Sequence, residues 1–442
     1  MDFGCRFFPR GWSGRSARAL ALLLGVLFAS PTPSGLFPFA AAAEWAGREE
    51  IVEGVVHVKN PAASIEGAVD LPLEELFSLG GESEDDDELF GLVQEILLDE
   101  DGNSYLLDQQ LDEIRVFDPK GRFVKSLGRQ GEGPGEFQNP QTFFFLPDGN
   151  IGVAQMMPAR IAVLDRQGEG LDDLPVPGSE GGFTMVRKVL PAGDHLVMQL
   201  MVAGFGEGKM RNTNRLVAVD SQGNELSVFG ESFREFEVGQ GQMVISMGDE
   251  EFARVWTAAP DGTVYVVNDY TGYRIEVYGA DGKLAKVIER EFEPLPFTKE
   301  EDARRRKRWE EQPRRGGLEV KPDFPEFKPD ITDLVARPDG ELWVRTSRSS
   351  AGDRDLGTFD VFDREGRFVR VVRPMVEYDA RHDGYLILGD RFYRIKELNG
   401  ALKAWVAGFG GGIRIGNESD EDEEEEAAPL EILAYRIGAV AP

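Results

Sequence analysis

The chain has 442 residues and carries 79 Asp and Glu against 49 Lys and Arg, a formal net charge of −30. Such acidity excludes nucleic acid and anionic membrane as partners, because a phosphate surface demands a basic footprint. An apolar fraction of 41% with 29 Phe suffices for a large core, and a repeat array absorbs this length as a single domain.

Residues 1–43 have the features of a signal peptide. Arg10, Arg15 and Arg18 form a basic start, and Ala19–Ala29 is an apolar run too short to span a bilayer comfortably. Ala40–Ala43 then supplies a small-residue cleavage site near Ala43. The expected location is periplasmic or secreted, with no stable membrane span once the signal is removed; an uncleaved N-terminal anchor is the rival reading. The single cysteine, Cys5, precedes the apolar run. The mature chain therefore has no thiol, and core packing and topology alone must hold it.

Residues 44–442 are organised by one recurring phrase, a Gly turn followed by a short apolar strand and a second strand closing on another turn. Ile51–Val58 reads as a strand standing before the first full unit. The first turns are Asp101-Gly102, Asp148-Gly149, Ala192-Gly193, Asp261-Gly262, Asp339-Gly340 and Asp383-Gly384. Strands follow at Ser104–Leu107, Ile151–Ala154, His195–Met198, Val264–Val267, Leu342–Val344 and Tyr385–Leu388. Their β-branched and aromatic enrichment between turn residues is the strand signal, and Asp-Gly supplies the positive φ of a tight hairpin. The next strands, Ile114–Phe117, Ile161–Leu164, Leu216–Val219, Ile275–Tyr278 and Phe359–Phe362, each end in a further turn such as Asp118–Gly121 or Asp363–Gly366. The sixth unit has a looser counterpart in Phe392–Ile395 with an Asn399-Gly400 turn. Adding the apolar stretch before each Gly turn and the strand after each second turn gives four antiparallel strands per unit, which is a propeller blade.

The run Phe117-Asp118-Pro119-Lys120-Gly121 through Gly131-Glu132-Gly133-Pro134-Gly135-Glu136-Phe137 resembles the NHL-repeat signature. It is similar to bacterial exported six-bladed β-propellers related to NHL-repeat proteins, over roughly residues 50–437. The resemblance implies an all-β fold, a six-bladed propeller of four-stranded antiparallel blades. Closure is expected from an N-terminal strand, with residues 51–58 pairing in the last blade before Leu430–Ile437, so that no sheet edge is left free there. Members of this class include binding modules and a few enzymes, so the fold alone does not fix the chemistry.

Three stretches interrupt the repeats. Glu82–Glu88 and Glu418–Glu426 are acidic runs, read as self-repelling solvated loops. Asp99–Asn103 has its Gly at the fourth position rather than the sixth of a calcium loop, and the repeat accounts for it. The insertion 296–330 is helical and Pro-rich. Thr298 and Glu301 have the spacing of a capping box, Arg304–Glu311 continues a helix ended by Pro313, and Lys321–Pro329 reads as extended. Two readings stand for it: a cap over a channel mouth, or a helix docked on the rim by Trp309 and Phe327.

Chemistry is sparse. His57, His195 and His382 are the only histidines, too few and too scattered for a three-His zinc centre, and no metal or other cofactor is expected. Neither a G-x-S-x-G elbow nor a phosphate loop is present, and the Gly-rich 204–208 and 408–412 stretches read as flexible connections. What remains is the channel. Gln141, Arg187, Lys188, Arg254, Trp256, Asp333 and Tyr378 are expected in or near its wall, with Arg345 and Arg348 beside the insertion. The expected function is a monomeric, non-enzymatic exported module that binds a small ligand or protein partner through the channel face. A metal-dependent hydrolase or lyase with its site in the channel is the alternative.

Overall fold

The computed structural model describes residues 44–155, 159–178, 183–206, 209–237, 245–247, 253–311, 320–322, 324–350, 352, 354–408 and 428–438. The signal segment 1–43 and the acidic run 418–426 lie outside these residues.

Six sheets form six blades, four of them four-stranded, with one of five strands and one of six where N-terminal strands add to their outer edges. Blade 1 comprises Val93–Leu98, Ser104–Asp108, Glu113–Phe117 and Phe123–Leu127, and blade 2 runs from Pro140–Phe145 to Gly170–Leu174. Blade 3 runs from Phe183–Ala192 to Glu225–Glu237, blade 4 from Val255–Ala258 to Leu284–Arg290, and blade 5 from Ile331–Ala336 to Phe368–Pro374. Blade 6 begins with Gly384–Leu388, followed by Arg391–Lys396 and Glu431–Ile437. First strands of blades 1 to 5 lie against one another in turn, Tyr385 of blade 6 reaches Asp333 of blade 5, and the first strand of blade 6 returns to that of blade 1, so first strands line the channel. The six-bladed fold expected from the repeats is what the chain adopts.

The packing explains why the strands read as continuous apolar runs rather than alternating ones. Ser104–Asp108 is buried at every position because both blade faces are covered. Alternate side chains go to opposite neighbours: Tyr105 and Leu107 pack against Phe143 and Val153 of blade 2. Leu106 packs with Tyr393 and Ile432 of blade 6. A buried cluster of this kind fills each of the six blade-to-blade interfaces.

Closure differs from the expectation in detail. Residues 51–58 do not reach the last blade. The hairpin Arg48–Val52 and Val55–Asn60 adds to the outer edge of blade 4, with Val55–Asn60 parallel to Leu284–Arg290. Ala68–Leu71 then adds to the outer strand of blade 5, and Leu73–Gly80 completes blade 6 against Glu431–Ile437. The N-terminal segment therefore runs along the rim of three blades, and its last strand makes the closure. Sequence patterning could not choose among three apolar stretches that all have a sheet edge to cover.

The sixth unit also sits one strand out of phase with the expected alignment. Tyr385–Leu388 belongs to the innermost strand, the hairpin turn is Gly389-Asp390, and Asn399-Gly400 lies inside a helix, α1 of Leu398–Gly408, instead of a turn. In blade 3 the second and third strands extend to Gly206 and Lys209, so Gly204–Gly206, read as part of a flexible connection, is paired in the ladder; residues 207 and 208 lie outside the described residues.

The motif that carried the resemblance is structural. Phe137 is fully buried, and a Cβ on Gly128 would collide with its ring at 2.3 Å. Glu136 accepts a hydrogen bond from the Gly133 amide at 2.9 Å. At Gly170 an added Cβ would sit 2.1 Å from the Pro134 carbonyl carbon, so the loop and blade 2 touch backbone to backbone.

Asn60 fastens the N-terminal segment. Its Nδ2 donates to Gly366 O at 2.9 Å and Glu289 O at 3.1 Å, and its Oδ1 accepts from Phe368 N at 2.8 Å and Trp45 Nε1 at 2.9 Å. One buried amide thus ties the segment to blades 4 and 5. Asn60→Ala is expected to cost about 2–4 kcal/mol, since it strands several buried backbone groups. Urea unfolding reads this directly, and a loss under about 0.5 kcal/mol, the range of ordinary surface substitutions, would refute the role.

Candidate functional site

The channel wall is set by a β-bulge that recurs at one place in the repeat. In blades 1, 2, 3 and 5 the pairing of first and second strands slips by one residue, at Gln94, Gln141, Arg187 and Thr332. The residue that follows regains register: Glu95 opposite Leu107, Thr142 opposite Ala154, Lys188 opposite Gln199 and Asp333 opposite Arg345. Val255 and Tyr385 hold the same position in blades 4 and 6, three residues before the paired end of the strand. One side chain per blade, Glu, Thr, Lys, Val, Asp and Tyr, thus occupies the same level of the wall. A bulge re-aims the next side chain, which is why it is common beside functional sites.

Contacts tie these positions to the neighbouring blades. Glu95 Oε2 accepts from Phe143 N of blade 2 at 3.1 Å. Lys188 Nζ donates to Trp256 O of blade 4 at 3.1 Å and lies 4.9 Å from the Trp256 ring centroid. The Tyr385 hydroxyl of blade 6 donates to Asp333 Oδ2 of blade 5 at 2.5 Å. Gln199 Oε1 accepts from Trp256 Nε1 at 2.9 Å, fixing the indole under the ammonium.

Electrostatics follow from this geometry. Burial pushes the Glu95 carboxyl up to about 7, against the hydrogen bonds from Thr142 and Phe143 and the attraction of Lys188. Burial likewise lowers the Lys188 ammonium, while Asp333 and Glu95 favour its charged form. The Tyr385 phenol is raised well above its ordinary value, first by burial and then by Asp333. The Lys188 ammonium, seated on Trp256, thus lies within electrostatic reach of the acidic side chains of Glu95 in blade 1 and Asp333 in blade 5.

The nine residues expected at the site divide accordingly. Lys188 and Asp333 are wall residues. Trp256 is buried in the blade 3–4 core and presents its ring and carbonyl to Lys188. Arg345 pairs with Asp333 in register, donates to Leu356 O at 3.0 Å and lies 5.7 Å from the Tyr385 ring. Tyr378 is buried beside Tyr385, its hydroxyl spent on Asp383 O at 2.9 Å. Gln141 and Arg187 are the bulged residues themselves, and Arg187 is exposed, its Nη2 3.8 Å from Met201 Sδ. Arg254 braces blade 5 through Ile331 O at 2.8 Å. Arg348 points away, donating to Glu293 O at 2.5 Å and Pro294 O at 3.1 Å.

Glu95, Thr142, Tyr385 and Gln199 were missed. The signal was available: Glu95, Thr142, Val255 and Asp333 each stand seven residues before the turn glycines Gly102, Gly149, Gly262 and Gly340.

The insertion springs from the connection between blades 4 and 5, on the face where first strands begin. Helix α2, Lys299–Glu311, precedes α1 in the chain and opens on the expected capping box. Thr298 N donates to Glu301 Oε2 at 2.8 Å and Glu301 N to Thr298 Oγ1 at 3.1 Å. Arg305 lies 3.9 Å from the Phe297 centroid and donates to Pro325 O at 2.6 Å, so the segment folds on itself. Val320–Pro322 pairs in parallel with Ile245–Met247 from the connection between blades 3 and 4.

The histidines do not meet: His57 pairs with Glu289, His195 with Asp194 and His382 with Glu397, each at 3.2 Å. Among the described residues no group of three or more His, Cys, Asp and Glu is placed to hold a metal ion. Nor does any helix among them have the length and apolarity to cross a membrane.

Comparison with known proteins agrees with the fold. A family described as a 6-bladed beta-propeller (DUF5128) matches residues 84–176, which include the whole run carrying the sequence resemblance. Among solved structures the chain is similar to a DUF4221 family member from Bacteroides vulgatus, at 10% identity and a TM-score of 0.46, covering 83% of this chain and 98% of that one. A protein named as a candidate exported protein from Bacteroides fragilis matches at 14% identity and a TM-score of 0.41, covering 84% and 100%. Virginiamycin B lyase from Staphylococcus aureus matches at 12% identity and a TM-score of 0.36, covering 77% and 80%. No curated protein matches the sequence.

The wall charges make a pH prediction. Glu95 is raised above its unfolded value of 4.5, so the folded state holds its proton more tightly between about pH 4.5 and 7. Stability from this group is present at low pH and is lost as pH rises through that window. Carboxyl NMR should place the Glu95 midpoint near 7, and Lys188→Met should move it higher by removing the attraction of the cation. A midpoint in the ordinary carboxylate range near 4 would refute the assignment.

Proposed function

We propose that the chain is an exported, monomeric binding module that takes a small polar ligand into the propeller channel. The observation that carries this reading is the convergence of Glu95, Lys188 and Asp333 from three non-adjacent blades, flanked by Trp256 and Tyr385. Opposite charges beside aromatic faces suit a ligand with both polar and apolar edges, such as a sugar or an amino-acid derivative. Export is the reading of residues 1–43, and a wholly extracytoplasmic role accords with a thiol-free mature chain.

A catalytic reading draws support from Glu95, since a carboxyl poised near 7 is suited to proton transfer at neutral pH. Metal-dependent chemistry draws less from this wall. The nearby Lys188 ammonium, whose charge both Glu95 and Asp333 favour, repels a divalent cation from the same space.

Thermal melting of the chain lacking residues 1–43, against panels of monosaccharides and amino acids, tests the binding reading. At least one compound is expected to raise the melting temperature, and Lys188→Met is expected to weaken its binding about tenfold or more, the loss of a charge-assisted contact. A ligand held equally well by Lys188→Met, Glu95→Gln and Asp333→Asn would place binding elsewhere. Chemical turnover of the bound compound that Glu95→Gln abolishes would establish the catalytic reading instead.

A further inference from the structure

Lys188 is the wall residue whose reactivity simple binding leaves unused. Its Nζ donates to Trp256 O of blade 4 at 3.1 Å, while Asp333 of blade 5 and Glu95 of blade 1 both act on its charge. A side chain of blade 3 that answers to blades 1, 4 and 5 at once lies in the channel itself. The residue is half-buried there.

The amine is under-paired. It has three N–H donors as an ammonium, and the Trp256 carbonyl is its one hydrogen-bond acceptor among the described residues. No carboxylate oxygen among them comes within ion-pair distance of it. Glu95 Oε2 is engaged by Phe143 N, and Asp333 Oδ2 by the Tyr385 hydroxyl. Arg290, Arg394 and Lys328 show the structural alternative, held by Asp360, Asp383 and Glu301 at 2.5, 2.8 and 2.6 Å. Nor does the repeat ask for a cation, since Glu, Thr, Val, Asp and Tyr fill the equivalent positions of the other blades.

Burial lowers the Lys188 ammonium against the pull of Asp333 and Glu95, so its neutral amine is more abundant at neutral pH than that of an exposed lysine. A lysine that yields its proton is a nucleophile toward carbonyl carbon, which an arginine is not. Trp256 holds it in place, with the indole centroid 4.9 Å from Nζ and the ring fixed by Gln199 at 2.9 Å.

We propose that Lys188 captures an uncharged hydroxyaldehyde, such as an open-chain sugar, as a reversible imine. This rests on the channel being the ligand site. Attack of the amine lone pair on the carbonyl carbon forms the C–N bond, and a proton passes from nitrogen to oxygen to give a carbinolamine. The Glu95 carboxyl then protonates the hydroxyl, the C–O bond breaks with loss of water, and the nitrogen returns its second proton to Glu95. Amine and aldehyde become imine and water, with no oxidant or reductant. Glu95 and Asp333 disfavour a carboxylate on the substrate, and Asp333 with Tyr385 suits its hydroxyls.

Incubating the full chain with glyceraldehyde and cyanoborohydride at pH 7, then mapping lysine adducts by mass spectrometry, tests this. Lys188 is expected to react about tenfold or more faster than the exposed Lys283, whose ammonium Asp281 stabilises. Glu95→Gln is expected to slow Lys188 about tenfold or more and to leave Lys283 unchanged. If that variant fails to fold, the wild-type preference and its expected loss in urea still decide the matter. Equal rates at the two lysines in the folded chain overturn the imine. Should glyceraldehyde then still raise the melting temperature in a Lys188-dependent way, the channel remains a binding site without it; if no compound of the sugar and amino-acid panels binds either, both readings fall. A larger ratio of Lys188 to Lys283 adduct with glyoxylate than with glyceraldehyde overturns the choice of an uncharged aldehyde.

Discussion

Everything in this molecule depends on closing a ring of sheets whose last member lacks its own fourth strand. After Arg391–Lys396 the chain turns into helix α1 and returns only as Glu431–Ile437. Blade 6 would then present an open edge, a template for association with any other strand. Leu73–Gly80 fills it, with Ser78 donating to Glu431 at 2.8 Å and Arg436 paired with Glu74 at 2.9 Å across the new edge. The closing strand arrives only because the residues before it are laid along blades 4 and 5. One end of the chain therefore holds both the ring and its seam, and in a protein without disulfides that non-local pairing takes the place of a covalent clasp.

The same architecture separates stability from recognition. Each blade spends its apolar side chains on two neighbours, so second and third strands have no freedom to carry function. First strands are different, because their unpaired edge meets the channel. The bulge before Glu95, Thr142, Lys188 and Asp333 is the device that turns a polar residue inward without breaking the interface on either side. A ring of six equivalent positions results, and the fold leaves their chemistry open.

Much of the fold was legible because Gly turns are sterically demanding and hence conspicuous. Six turns, apolar strands between them and the capping box at Thr298 led directly to the blade count and to the inserted helix. The closing strand was not legible, since Ile51–Val58, Ala68–Leu71 and Leu73–Gly80 all satisfy the same need for a sheet edge. In blade 6 Asp383-Gly384 imitates the turn phrase one strand early; Asp383 instead accepts from Arg394 at 2.8 Å within the blade. The site was half legible for a related reason. Strand alternation has a period of two, so the unseen bulge put expectation on Gln141 where Thr142 stands on the wall, and on Arg187 as well as Lys188. Counting seven residues back from the turn glycines of blades 1, 2, 4 and 5 finds Glu95, Thr142, Val255 and Asp333, whereas the shorter hairpin of blade 3 puts Lys188 only five residues before Gly193.

That interval also separates residues the fold requires from residues it merely permits. Trp256 stands one position beyond the wall, and its burial against Ala192 and Val197 makes it a core residue that happens to show an edge to Lys188. Val255, directly before it, is the single apolar member of the ring. It leaves blade 4 without a charge on the wall, so the polar character of the channel comes from blades 1, 2, 3, 5 and 6. Charged positions thus alternate with uncharged ones around the ring, and Val255 stands between Lys188 and Asp333. The wall is therefore asymmetric in chemistry though built on equivalent positions, with an ammonium at Lys188 beside an aliphatic side chain at Val255. The symmetry of the repeat builds the ring, and its breaking at these six positions gives the channel a direction.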